Sequence, residues 1–114
     1  MEPFVVMITT LPDRASARAL AEALVGARLA ACVNLMAECS SIYYWQGKME
    51  TASEVPLWIK TRAALYPAVE QFIRERHPYD LPEVIALPLT TGFIPYLQWV
   101  ERETQQPQSD VEHP

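Results

Sequence analysis

The chain has 114 residues, which suits one domain of the usual size, roughly 100 to 150 residues, and argues against a second folded unit. Half of the residues are hydrophobic and the formal net charge is −5. The acidic balance argues against nucleic acid and against an anionic membrane surface as partners, because both attract clustered lysine and arginine.

The first half of the chain predicts a strand, a helix and a long hairpin. Phe4 to Thr10 is a short, β-rich apolar run and predicts a buried strand. Apolar residues at helical spacing follow Asp13, which is a suitable N-cap. From Ala31 the apolar residues alternate with polar ones, which predicts a strand that continues through Ser40 to Gln46. A polar turn, Gly47 to Glu54, then leads into a second long strand, VPLWIKTR.

The second half predicts a helix, a strand and a final helix. An amphipathic helix covers Leu65 to Ile73 and ends near His77, because a residue that precedes proline is pushed out of the α region. VIALPL predicts the last strand, and IPYLQWVERET a short C-terminal helix. We therefore assign one domain to residues 1–104 and expect the polar residues 105–114 to be disordered.

The order of the elements predicts an α+β fold, the ferredoxin-like βαββαβ sandwich, with an antiparallel sheet and an extra C-terminal helix. In this topology the first and third strands are central, and all helices pack on one face. Two segments, Phe4 to Ile8 and Val84 to Leu87, are nevertheless apolar on both faces. We therefore expect a second copy of the chain to cover the other face of the sheet.

The two cysteines indicate a reducing compartment. Cys32 and Cys39 lie in one predicted extended segment, which separates them by about 23 Å and excludes a disulfide between them unless the segment folds back sharply. No apolar run reaches the roughly 20 residues of a membrane helix, and the first residues lack the features of a signal peptide. These features favour a cytoplasmic protein with free thiols.

Motifs of catalysis are scarce. The only glycines are Gly26, Gly47 and Gly92, too dispersed for a Walker loop or a dinucleotide fingerprint, and there is no G-x-S-x-G, C-x-x-C or H-x-x-x-H. We predict a protein that is not an enzyme and holds no tightly bound cofactor. A hydrolase of acyl phosphates is the enzymatic alternative.

Several residues have more than one interpretation. His77 is the end of a helix, a metal ligand or a base, and the first of these needs the fewest assumptions. Glu83 is a solvated strand start or the carboxylate partner of a cation. Lys60 belongs to a solvated face or an anion site, and Tyr43 to Trp45 form a subunit contact or a ligand cage. Cys32 is a small buried residue or a ligand.

Five segments together resemble the CutA family of divalent-cation tolerance proteins: ARLAACVNL, SSIYYWQGKME, SEVPLWIKT, RHPYDLPEVIALPL and YLQWV. They follow the family's order from about Phe4 to Glu101. The resemblance implies a ferredoxin-like fold, a tight homotrimer whose long hairpins pair between subunits, and a cytoplasmic role in tolerating copper and other divalent metals. Similarity to the trimeric PII-type signalling proteins implies a ligand cleft between subunits and a sensor as the alternative function. Residues of the family's types, which are our candidates for this cleft, are Cys32, Trp45, Glu54, Lys60, Tyr79, Tyr96 and Trp99.

The resemblance also bears on metal binding. Copper-binding bacterial members carry a cysteine near the end of the first strand and a His-His pair before Pro-Tyr. Here these positions hold Thr9 and Arg76-His77. His77 and Glu83 alone make an incomplete set of metal ligands. We therefore predict that Cu²⁺ or another divalent cation binds weakly, no tighter than micromolar, that binding depends on His77, and that Cys32→Ser changes it little.

Overall fold

The computed structural model describes residues 3–105, so the predicted tail lies outside it except for Gln105. Within that range no helix is long and apolar enough to cross a membrane. The elements follow in the order β1 (Phe4–Leu11), α1 (Arg14–Gly26), β2 (Cys32–Leu35), β3 (Cys39–Trp45), β4 (Lys48–Arg62), a 3-10 turn (Ala63–Leu65), α2 (Tyr66–Arg76), β5 (Ile85–Leu89) and α3 (Ile94–Glu103).

The strands form an antiparallel sheet in the order β2-β4-β1-β5, and β3 pairs with the far end of β4. The 15 residues of β4 serve both parts: Lys48 to Glu54 pair with β3, and the remainder pairs with β1 and β2. The first strand and the long return strand are central, which confirms the predicted α+β, ferredoxin-like fold. Because β1 ends at Leu11 opposite Val55, the hairpin of β3 and β4 projects beyond the sheet.

The strand predicted from Ala31 to Gln46 is wrong, because it is interrupted between β2 and β3. Leu35 pairs with Leu57 and Cys39 with Glu54, so residues 36–38 lie opposite only two residues of β4. One of those two is Pro56, which has no N–H to donate to a neighbouring strand. Residues 36–38 therefore form a bulge, in which the Met36 amide donates a hydrogen bond to the Pro56 carbonyl at 2.9 Å.

The polar turn predicted from Gly47 to Glu54 is also wrong. The turn contains only Gln46 and Gly47, with φ values of 52° and 82°, and β4 begins directly after it at Lys48. Two residues of positive φ match the twist of a tight β-hairpin. Lys48 to Ser53 are mostly polar because this part of the hairpin stands away from the core and leaves both faces largely exposed.

One face of the sheet carries the helices α1 and α2. Asp13 caps α1 as predicted: its Oδ1 accepts a hydrogen bond from the Ser16 amide at 2.8 Å, and this bond lowers the pKa of the Asp13 carboxyl. Val69 and Ile73 of α2 pack into the same core. The buried stripe of α1 consists of Ala17, Leu20, Ala21 and Leu24.

The third helix packs on the opposite face, so the expectation that all helices share one face is wrong. Leu97 and Val100, one turn apart on α3, need an apolar surface and cover Phe4 at the start of β1. Arg62 secures the end of this helix, since its Nε donates to Thr104 Oγ1 and its Nη2 to the Thr104 carbonyl, both at 2.8 Å.

The rest of this second face is left open. Ile8 pairs with Trp58 on one side and with Ile85 on the other, which places the three side chains on one face. We call this surface the uncovered strip; it consists of the half-buried Ile8 and four exposed residues, Trp58 (39%), Ile85 (47%), Leu87 (48%) and Leu89 (36%).

Candidate functional site

The segment from His77 to Val84 links α2 to β5 and begins at a buried histidine. His77 is the C-cap of α2, and its amide donates to the Ile73 carbonyl at 2.8 Å. Its ring is held at both nitrogens: Nδ1 accepts from the Tyr79 amide at 3.1 Å, and Nε2 lies 2.7 Å from the Thr10 carbonyl. Because a carbonyl only accepts, the proton of the neutral ring sits on Nε2. His77 therefore fastens the link to the end of β1.

Two residues further on, Tyr79 fastens the link to the hairpin. Its hydroxyl donates to Glu54 Oε2 of β4 at 3.1 Å. Burial, and then the hydrogen bond and the charge of Glu54, raise the pKa of Tyr79 to about 12. The phenol therefore stays protonated at neutral pH and acts as a donor. Glu54 is 8% exposed, which is unusual for a carboxylate.

A groove of about 580 Å³ lies between the base of the hairpin and this link. Its lining combines aromatic rings and carboxylates on a few aliphatic and hydroxyl groups: Thr10, Ser41, Ile42, Tyr43, Trp45, Glu54, Tyr79, Asp80, Leu81 and Glu83. Glu54 and Trp58 are separated by an even number of residues on β4, so their side chains lie on the same face of the strand. The groove therefore opens toward the same side as the uncovered strip.

The aromatic side chains of Tyr43 to Trp45 point to two sides of the hairpin, because successive side chains of a strand alternate between its faces. Tyr43 and Trp45 face the groove. Tyr44 points to the other side of the hairpin, next to its register partner Met49, and these two side chains are 71% and 65% exposed. The cluster thus contributes to two separate surfaces.

The seven cleft candidates fall into two places. Trp45, Glu54 and Tyr79 line the groove, as does Glu83, one of the two metal candidates. The other four lie at the far end of the second face: Cys32 pairs with Lys60 in the sheet, and the rings of Tyr96 and Trp99 on α3 are 5.6 Å apart. Burial, and to a lesser degree Cys32, raises the pKa of Tyr96.

No compact metal centre is formed by residues 3–105, since no three His, Cys, Asp or Glu side chains are placed to share an ion. His77 is buried, whereas Glu83 lies in the groove. A cation on His77 would have to displace the Tyr79 amide from Nδ1 or the Thr10 carbonyl from Nε2. Thr9, which stands where the resemblance places a cysteine, is fully buried. Weak Cu²⁺ binding by His77 and Glu83 stays a prediction.

Reasoning from the sequence did not single out five of the lining residues, Thr10, Ser41, Ile42, Asp80 and Leu81. The signal for Asp80 and Leu81 was present in HPYDLPE, where two prolines fix a short link and direct the side chains between them. Thr10 and Ser41 carry no such signal, because only strand pairing brings them to the groove.

The fold and the site define a small ferredoxin-like domain with a projecting hairpin and an acidic, aromatic groove at its base. The family described as CutA1 divalent ion tolerance protein matches residues 5–103. Protein CutA of Homo sapiens is 51% identical over 96 residues, or 84% of this chain. The chain belongs to the CutA1 divalent ion tolerance family, as the resemblance implied.

Other relatives extend the comparison. The divalent-cation tolerance protein CutA of Thermus thermophilus is 40% identical over 99 residues, which are 87% of this chain and 96% of that protein. The chain spans little more than half the length of the human relative (54%). The crystal structure of CutA1 from Oryza sativa has a TM-score of 0.89 at 39% identity and covers 93% of this chain and 97% of its own.

Proposed function

We propose that this chain is a homotrimeric, non-enzymatic divalent-cation tolerance protein that takes part in the response to metal ions. Family membership supports the tolerance role, since relatives from Pectobacterium atrosepticum and Thermus thermophilus are named divalent-cation tolerance proteins. The observation that carries the assembly is the uncovered strip.

Apolar surface of this kind is typical of a subunit contact. The strip joins five large side chains on one face of the sheet, and burying them contributes about 25 cal/mol per Å². Tyr44 and Met49 form a second apolar patch on the other side of the hairpin. Two different patches suit a contact in which one patch of a subunit meets the other patch of the next, and such contacts close into rings. A trimer is the smallest ring of this kind.

Light scattering tests the trimer. We expect a mass three times that of the 12.9 kDa chain at micromolar concentration. Leu87→Lys places a charge in the strip and is expected to lower the mass, because an unpaired charge at a contact is costly. Val25→Lys is the matched control, since Val25 is similarly exposed (41%) but lies on α1. A folded monomer for the unaltered chain at micromolar concentration contradicts the assembly.

We propose further that divalent copper, or another divalent cation, binds weakly through His77 and Glu83. Freeing a ring nitrogen of His77 leaves a buried backbone group without its partner, at a cost of about 1 to 3 kcal/mol. We expect calorimetry to give a Kd for Cu²⁺ no tighter than micromolar, most of the binding to be lost in His77→Ala, and little change in Cys32→Ser. Nanomolar affinity would mean that other ligands hold the ion.

The second candidate function is a sensor of a small molecule, and the observation that favours it is the buried carboxylate of Glu54 on the wall of the groove. Thermal melting with a panel of nucleotides and metabolites separates the two functions. Stabilisation by one compound, without a response to metal ions, favours the sensor.

The proposed location is the cytoplasm. Both cysteines in the described residues are free, which suits a reducing compartment. Relatives differ in this respect: the rice protein is named chloroplastic, and the solved structure from Archaeoglobus fulgidus is described as periplasmic. Fractionation of the source cells with an antibody against the chain tests the location, and recovery outside the cytoplasmic fraction contradicts it.

A further inference from the structure

We infer that α3 opens away from the sheet as a unit while the rest of the domain stays folded, so that it acts as a lid over the Phe4 end of the second face. Local opening of this kind occurs where an element has few buried apolar contacts of its own. Three features of α3 meet this description: a separate apolar cluster, an exposed first turn, and a polar attachment at the last turn.

The apolar contacts of α3 are separate from the main core. Within residues 3–105 the main core is a cluster of thirteen buried residues, to which β1, β4, α1 and α2 contribute. The third helix packs instead in a cluster of four, which consists of Phe4, Ala31, Leu97 and Val100. The two clusters share no residue, and α3 packs on the face of the sheet opposite to α1 and α2. Opening of α3 therefore leaves the packing of the main core intact.

The first turn of α3 is held by little. No side-chain hydrogen bond caps the helix at Phe93. The side chains of Phe93 and Ile94 are 74% and 57% exposed. Residues 90–92, which precede them, are exposed and have no regular structure. A short exposed loop can absorb the change of backbone angles that an opening needs, so residues 90–93 are the hinge of the lid.

Two arginines hold the last turn. Arg62 donates to the hydroxyl and to the carbonyl of Thr104, both at 2.8 Å. Arg28 donates to Glu103 Oε1 at 2.8 Å from the loop after α1, where its φ of 62° is unfavourable for a residue other than glycine. The side chains of Arg28 and Glu103 are 47% and 40% exposed, so water and salt compete with this ion pair. Polar contacts at one end and two apolar side chains, Leu97 and Val100, therefore fix the closed position.

Native-state hydrogen exchange on the full chain in low concentrations of guanidinium chloride tests the lid. We expect the amides of α3 to exchange together, with protection factors at least about tenfold lower than those of the slowest amides of β1 and β4. We expect their opening to depend less on the denaturant, because a local opening exposes less surface than global unfolding. Equal protection and equal denaturant dependence in α3, β1 and β4 would overturn the inference.

A matched pair of substitutions distinguishes local opening from global unfolding. Val100→Ala trims a contact that is lost when the lid opens, and it is expected to lower the protection of α3 roughly tenfold. Val69→Ala makes the same change in the main core, where Val69 is fully buried on α2. It is expected to lower the protection of β1 and β4 roughly tenfold and to leave that of α3 unchanged, because the main core stays folded in the open state. An equal loss of α3 protection in both variants means that α3 leaves only with global unfolding, which contradicts the lid.

Glu103→Gln is a second variant that keeps every buried contact. It removes only the charge that pairs with Arg28, and we expect the protection of α3 to fall roughly two- to threefold at low salt and to change little at high salt. Glu22→Gln is its control, since Glu22 pairs with Arg18 at 3.5 Å on the exposed side of α1. An equal effect of both variants on α3 shows that the net charge alone acts, and it counts against the lid.

Dilution separates the lid from the proposed assembly. We expect the protection of α3 to stay the same when the protomer concentration is lowered roughly tenfold. Faster exchange on dilution would show that α3 exchanges through dissociation of subunits, and the inference would then fail. A monomer in light scattering whose α3 opens before its core contradicts the trimer but keeps the lid.

Discussion

Thr9→Val is expected to stabilise the protein although it removes a polar group. Thr9 lies on β1 among the core residues of the helix-covered face and is fully buried. Its Oγ1 is the one buried side-chain nitrogen or oxygen within residues 3–105 that lacks a hydrogen-bond partner. A buried hydroxyl without a partner costs about 1 to 3 kcal/mol, and valine replaces it with a methyl group of nearly the same shape. We expect the free energy of unfolding to rise by about 1 to 3 kcal/mol.

Thr61→Val is the matched control. Thr61 is just as buried, on the neighbouring strand β4, but its hydroxyl donates to the Leu29 carbonyl at 2.7 Å. The same change here removes a satisfied hydrogen bond and is expected to lower the free energy of unfolding by about 0.5 to 1.5 kcal/mol. The two substitutions are chemically identical, so the opposite signs isolate the hydrogen bond from the change in volume.

Denaturant titration followed by circular dichroism measures both changes. All variants are compared at one protomer concentration, because the stability of an oligomer depends on concentration. Destabilisation by Thr9→Val to the same extent as Thr61→Val would refute the reasoning, since it would mean that the Thr9 hydroxyl has a partner in solution, such as a buried water.

The remaining predictions concern the link and the first helix. His77→Phe keeps a ring but leaves the Thr10 carbonyl and the Tyr79 amide without partners, so we expect a loss of about 2 to 4 kcal/mol by denaturant titration. Tyr79 has a raised pKa, so its contribution is complete below its unfolded value near 10 and is lost as pH rises toward 12; Tyr79→Phe is expected to reduce the alkaline fall in melting temperature. Asp13 has a lowered pKa, so its cap contributes above pH of about 4 and is lost in acid; Asp13→Asn is expected to flatten that part of the acid profile.

The regular elements could be predicted from local sequence because local residues determine them. The period of α1, its cap at Asp13 and the proline after His77 each act within a few residues. The bulge at 36–38 could not be predicted, because its cause, Pro56, becomes a neighbour only when β2 and β4 pair. The placement of α3 depends in the same way on a distant surface, the Phe4 end of the second face.

The groove was predicted only in part for the same reason. Trp45, Glu54 and Tyr79 were chosen by residue type, but nothing in their spacing shows that they meet. Their meeting depends on the hairpin register, which pairs Cys39 with Glu54, and on the reach of Tyr79 from the link. Residues chosen by the same criterion, such as Lys60 and Trp99, lie outside the groove lining.

Residues that line the groove also form hydrogen bonds with buried groups, and these bonds make the groove rigid. Thr10 is one of the residues that line the groove, and its carbonyl accepts a hydrogen bond from the buried ring of His77. Tyr79 lines the groove while its amide donates to the other nitrogen of that ring and its hydroxyl to Glu54. Moving the link away from β1 and the hairpin would therefore break two hydrogen bonds, from His77 Nε2 to the Thr10 carbonyl and from the Tyr79 hydroxyl to Glu54, at about 0.5 to 1.5 kcal/mol or more each. The walls of the groove are thus ordered in the chain alone, and a small molecule of the kind proposed above would use little of its binding free energy to order them.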